Sequence, residues 1–161
     1  MIDWESRPIE IQTLLNPAFC GEVLLECIKT YEKRKGPFPF SLSFLALPIL
    51  LHPNTRSSIP YSSKYMHLWI QTHRELLVGF KERAKNLVPI ALESITFLLH
   101  SNVLFLNKDG DLISNPDLKL TKIPERSSEI MDCINKAHNV GKLFASAGNP
   151  ASIFAMWGVC P

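Results

Sequence analysis

Residues 42–51 read L-S-F-L-A-L-P-I-L-L, a run without a single charge. A helix made from it is apolar on every side, so it has to be surrounded by the rest of the chain. It is far shorter than the ~20 residues that a membrane-spanning helix needs, and Pro48 interrupts it. A buried helix, bent or ended near Pro48, is the expected outcome. With 161 residues, 46% of them hydrophobic and 20% charged, the chain can supply that surround as one domain over residues 1–161.

The C-terminus has the same character. No charge follows Lys142, and the chain closes on G-N-P-A-S-I-F-A-M-W-G-V-C-P. Gly148, Asn149, Pro150 and Gly158 break any long helix there, which argues against a membrane span. Two readings remain for Ile153, Phe154 and Trp157. They complete the chain's own core, as aromatic stripes usually do, or Phe154 and Trp157 anchor a partner.

Helix signals are frequent. Asn16-Pro17 is a capping residue followed by a proline pre-set for the first helical position. Cys20, Leu24, Cys27, Ile28 and Tyr31 continue one apolar face to about Lys35. Lys33, Arg34 and Lys35 suit the negative end of that helix, and Gly36-Pro37 stops it. Residues 52–60, H-P-N-T-R-S-S-I-P, read as a loop. Helices are expected at 62–71, at 73–85 and, capped by Asn86, at 86–100. The period then shortens. V-L-F-L, N-K-D-G and D-L-I-S, residues 103–114, predict two short strands around a turn. A polar linker covers 115–126, a long helix 128–147, and Asn149-Pro150 opens a short final helix. The fold class is therefore mostly α with a small β-hairpin. It has an N-terminal helix at 17–35, a core at 41–114, and a C-terminal helix and apolar tail at 128–161.

Three helices and a hairpin follow the order of a winged helix-turn-helix, with 86–100 as the recognition helix. Duplex readout needs Arg, Lys, Asn or Gln on that helix and cations for phosphates. Residues 86–100 contain no Lys or Arg, and Lys108 in the wing is offset by Asp109 and Asp111. The formal net charge of +2 adds no strong pull toward nucleic acid. A stand-alone DNA-binding regulator is thus the weaker reading. Lys33, Arg34, Lys35, Lys81, Arg83 and Lys85 remain candidates for DNA backbone contact inside a larger complex.

Catalytic and metal chemistry find no motif. The five histidines fall in no zinc spacing, and the four cysteines form no C-x-x-C. Cys20 and Cys27 share a face as core residues. Acids at Asp3 and Glu5 stand where a signal peptide carries its basic region, and sparse cysteines fit a reducing compartment, so a cytoplasmic chain is expected. No catalytic residue, metal ligand or cofactor is assigned. His52 and Arg56 flank the loop after the apolar run. They serve either to satisfy backbone carbonyls and carboxylates or to contact a partner.

Five segments in order then carry a resemblance. They are L-N-P-A-F-C (15–20), F-L-A-L-P-I-L-L-H (44–52), T-R-S-S-I-P (55–60), V-G-F-K-E-R-A-K-N-L-V-P (78–89) and A-S-A-G-N-P-A-S-I-F-A-M-W-G-V-C-P (145–161). Together they resemble the middle component of bacterial three-component ABC systems, the group that includes Lamassu-type anti-phage and anti-plasmid defence. The resemblance implies a small, non-enzymatic adaptor that binds an SMC-like ABC ATPase and holds an effector, often a nuclease. DNA would be reached through the complex, and no membrane is involved. The arginine usual near the end of that family's G-V-x-P tail is Cys160 here, which leaves a charge-based role at that position without support.

Overall fold

Helix α1, Pro17–Lys35, starts as its sequence dictates: Asn16 Oδ1 accepts the Ala18 N–H at 2.8 Å, and Pro17 takes the first turn. The computed structural model describes residues 15–61, 65–118 and 126–160. Gly36 ends α1 at φ +104, a conformation that glycine adopts without strain. The connector that follows is pinned. Phe38 exchanges both backbone hydrogen bonds with Leu112, at 2.9 and 2.8 Å, and its ring meets Tyr31 edge-on.

A 3-10 turn, Phe40–Leu42, leads into α2, Ser43–Leu50. This is the apolar run, and it is buried on all sides: Leu45, Ala46, Leu47, Ile49 and Leu50 have no exposure. It packs against α1 and α5 above all, with α3 and α6 closing around it. Pro48 lies inside it, and the helix ends at Leu50, two residues on.

Residues 52–60 do not form the expected loop. Pro53–Ser58 is a short helix, α3. His52 caps it by accepting the Thr55 N–H on Nδ1, and Pro53 fills the first position, so His-Pro plays the part that Asn-Pro plays elsewhere.

Helix α4, Met66–Thr72, begins after Tyr65; of the helix expected at 62–71, residues 62–64 lie outside the described residues. A 3-10 turn, Arg74–Leu77, follows, and then α5 runs unbroken over Phe80–His100. The sequence reading placed a helix boundary at Asn86. The boundary sits instead at Gly79, whose φ of +67 only glycine takes readily. Pro89 is tolerated in mid-helix because it and Lys85, whose carbonyl it leaves free, are both exposed to water.

The hairpin pairs β1, Leu104–Leu106, with β2, Leu112–Ser114, in antiparallel register. Gly110 at φ +83 and the Asn107 side chain, accepting the Asp109 and Asp111 N–H groups, shape its turn. Glu32 of α1 holds the hairpin by accepting the Ser114 N–H and hydroxyl.

Helix α6, Ser128–Ser146, is capped by Ser127 and lies along α1. The two helices come close at Gly141, where a Cβ would stand 2.5 Å from the Cys27 carbonyl oxygen and 2.9 Å from Thr30 Cβ. Gly141→Ala is therefore expected to push α1 and α6 apart and cost roughly 1–3 kcal/mol, read as a lower urea midpoint at unchanged slope. Helix α7, Pro150–Met156, repeats the Asn-Pro start, with Asn149 Oδ1 accepting the Ser152 N–H at 2.9 Å.

The tail is core. Ile153, Phe154 and Trp157 are buried, and Trp157 stacks on Phe80 with centroids 4.4 Å apart while meeting Trp69 edge-on at 5.4 Å. No helix among the described residues is long and apolar enough to cross a membrane.

Candidate interaction site

Helix α2 ends in a setting with little water, so its last carbonyls need donors from within the protein. Two arginines supply them. Arg56 of α3 donates from Nη1 to the Leu50 carbonyl at 3.0 Å, and Arg83 of α5 donates from Nε to the Pro48 carbonyl at 3.3 Å. Both cations also face the negative end of the helix dipole.

The two differ in what else they meet. Arg56 is 7% exposed and is fully engaged: Nε donates to Asp132 at 2.8 Å and Nη2 to Glu129 at 3.1 Å, both on α6. Burial would weaken its hold on the proton, but the two carboxylates outweigh burial and raise its pKa. Arg83 is half-buried, lies 5.2 Å from the Phe80 ring, and makes a long 3.5 Å contact from Nη2 to the Thr55 hydroxyl. It pairs with no carboxylate among the described residues, and burial lowers its pKa.

His52 stands beside it. Its Nδ1 accepts the Thr55 N–H and lies 2.9 Å from the Thr55 hydroxyl. With Nδ1 as acceptor, the neutral ring carries its proton on Nε2. Burial first, and the Arg83 charge second, push its pKa down and favour that neutral form.

These groups edge a recess of about 430 Å³, lined by Leu15, Leu51, His52, Pro53, Arg83, Asn86 and Leu87. Sequence reading singled out His52 and Arg83 separately and for different roles; the fold brings them to one wall. Arg56, singled out with His52, turns the other way and ties α3 to α6. Asn86, read as a helix cap, sits inside α5 and lines the recess, three residues after Arg83 and on its face.

The other candidate residues are dispersed. Phe154 and Trp157 are buried in the core. Lys35 donates to the Gly148 carbonyl. Lys33, Arg34, Lys81 and Lys85 are exposed. A cation that sequence reading passed over, Lys136, is buried on α6, donates to the Ile59 carbonyl at 2.9 Å and lies 4.0 Å from the Tyr61 ring. Its place on the apolar stripe three residues after Cys133 was the available signal. The buried thiols are poor nucleophiles: burial pushes Cys20 up to about 12 and raises Cys27 and Cys133 as well.

Residues 4–161 match the family described as ABC-three component (ABC-3C) system Middle Component 3. The chain belongs to that family. No match was found among curated proteins or among solved structures. As a middle component, it is one part of a multi-component ABC system, and the other parts are its expected partners.

Proposed function

We propose that this middle component is a cytoplasmic, non-enzymatic adaptor of a Lamassu-type defence complex. It binds an SMC-like ABC ATPase and positions or restrains an effector nuclease. The observation that carries the reading is the outward face of α5. Beyond Lys85 it presents Pro89, Leu92, Thr96 and Phe97, all exposed, and no lysine or arginine. On a helix followed by a hairpin, that face suits a protein surface better than phosphates. The winged-helix order is then a scaffold turned to protein contact, since fold alone does not set function.

The test is co-expression with the other components of its system and purification through a tag on this chain. The ATPase component is expected to stay bound through moderate salt, and the chain alone to show neither ATPase nor nuclease activity. Clean separation of the two proteins would overturn the adaptor reading.

Contact with DNA inside the complex has one supporting observation. Lys33, Arg34, Lys81 and Lys85 are exposed and make no ion pair among the described residues. Reversing those charges should weaken duplex binding by the full complex and flatten its salt dependence. A stand-alone DNA regulator would instead bind duplex without partners.

A further inference from the structure

We propose that the recess between α3 and α5 is a carboxylate-reading pocket, and that its occupant is an Asp or Glu side chain carried on an apolar segment of a partner protein. The identity of that partner rests on the adaptor reading; the chemistry of the pocket does not.

The polar groups of the recess offer more donors than the described residues supply acceptors for. Arg83 spends Nε on the Pro48 carbonyl and Nη2 on a long contact to Thr55, which leaves Nη1 without a partner among the described residues. His52 has committed Nδ1 as an acceptor, so its remaining N–H, on Nε2, is a donor. Asn86 adds an amide at the exposed lip. The rest of the wall is apolar, from Leu15, Leu51, Pro53 and Leu87.

A charged guanidinium drawn half out of water, with no carboxylate paired to it among the described residues, is unfavourable in the free chain. A ligand carboxylate would supply the missing charge and accept from both Arg83 and His52. Arg56, on α3, already shows the satisfied version of this arrangement, with two carboxylates of its own.

The same features disfavour a nucleic-acid backbone. Phosphodiesters come in rows and are held by rows of exposed cations. Here one arginine lies among aliphatic side chains, and Lys81 and Lys85, two positions away on either side, stand on other faces of the helix. One anionic oxygen pair with apolar flanks fits; a strand of phosphates does not.

The pocket is tested on the full-length chain by NMR, following the Arg83 Nε–H and His52 ring signals. The probes are isovalerate, a carboxylate with a branched apolar end; inorganic phosphate at matched ionic strength; and isoamyl alcohol, neutral and of similar shape. Isovalerate is expected to shift both residues saturably, and phosphate and the alcohol to leave them nearly still. Read on the His52 ring signals alone, Arg83→Gln should abolish the shift and Arg83→Lys should keep part of it, which separates loss of charge from misfolding. Equal shifts with phosphate, or none with isovalerate, would overturn the proposal.

The same variants then go into the co-purification. Arg83→Gln is expected to weaken capture of the partner roughly tenfold to a hundredfold, with Lys108→Gln, on the hairpin turn, unchanged. If the wild type captures no component, the adaptor reading fails. If the wild type captures one and Arg83→Gln captures it equally, this inference fails alone. Displacement of isovalerate by a peptide of residues 1–14 would also overturn it, by giving the recess to this chain's own N-terminal segment.

Discussion

Trp157→Ala is expected to lose about 3–5 kcal/mol of stability, the usual cost of emptying a large aromatic site. Trp157 is 1% exposed, stacked on Phe80 and edge-on to Trp69. It thereby joins the end of α7 to the middle of α4 and the start of α5. A domain of this size commonly holds only about 5–15 kcal/mol in total, so the variant will sit near the edge of folding. Trp157→Phe should cost much less, roughly 1–2 kcal/mol. It keeps a ring against Phe80, and it loses no hydrogen bond because the buried indole Nε1 has no partner among the described residues. Urea unfolding followed by tryptophan fluorescence and far-UV dichroism checks both. A stable Trp157→Ala chain would mean that the tail is loosely attached, which would return Phe154 and Trp157 to the list of partner anchors.

The tail shows what a sequence can and cannot tell. Asn149-Pro150 announced α7, because capping is decided by neighbours in the chain. Whether Ile153, Phe154 and Trp157 faced inward was a tertiary matter, and composition left it open. The same division runs through the rest of the fold. Asn16-Pro17, Gly36 and the turn at Gly110 were legible because each acts within a few residues. The α3 helix was missed because histidine is an uncommon cap and S-S-I-P imitates a turn. The boundary at Asn86 was misplaced because Asn is a common helix cap, and the exposure of Lys85 and Pro89 lets the helix continue through the proline. In the recess, His52 drew notice by standing just after the apolar run. Arg83 looked like one of several surface cations. Its role depends on which carbonyl it meets across the interior, and no local pattern encodes that.

Arg56→Met is the second large effect, expected at about 2–4 kcal/mol. The two ion pairs alone would not give that much. Glu129 is 68% exposed and Asp132 44%, so both carboxylates can return to water when the guanidinium is gone. Exposed pairs of that kind contribute about 1 kcal/mol or less each. The larger part comes from the Leu50 carbonyl, whose residue has no exposure and which would be left without its donor, at roughly 1–3 kcal/mol. This division of the effect has a consequence that can be measured. Salt screens exposed ion pairs and leaves a buried hydrogen bond almost untouched. Most of the difference between wild type and Arg56→Met should therefore survive in 1 M sodium chloride, a concentration at which the Debye length is about 3 Å. Arg56→Lys should recover only part of the loss, because one ammonium on a flexible stem cannot serve Leu50, Asp132 and Glu129 at once. A difference that vanishes in salt would assign Arg56 to surface electrostatics. Arg56→Met with wild-type stability and weakened partner capture would make Arg56 a contact residue, and the α2 terminus would then have to be satisfied by Arg83 alone.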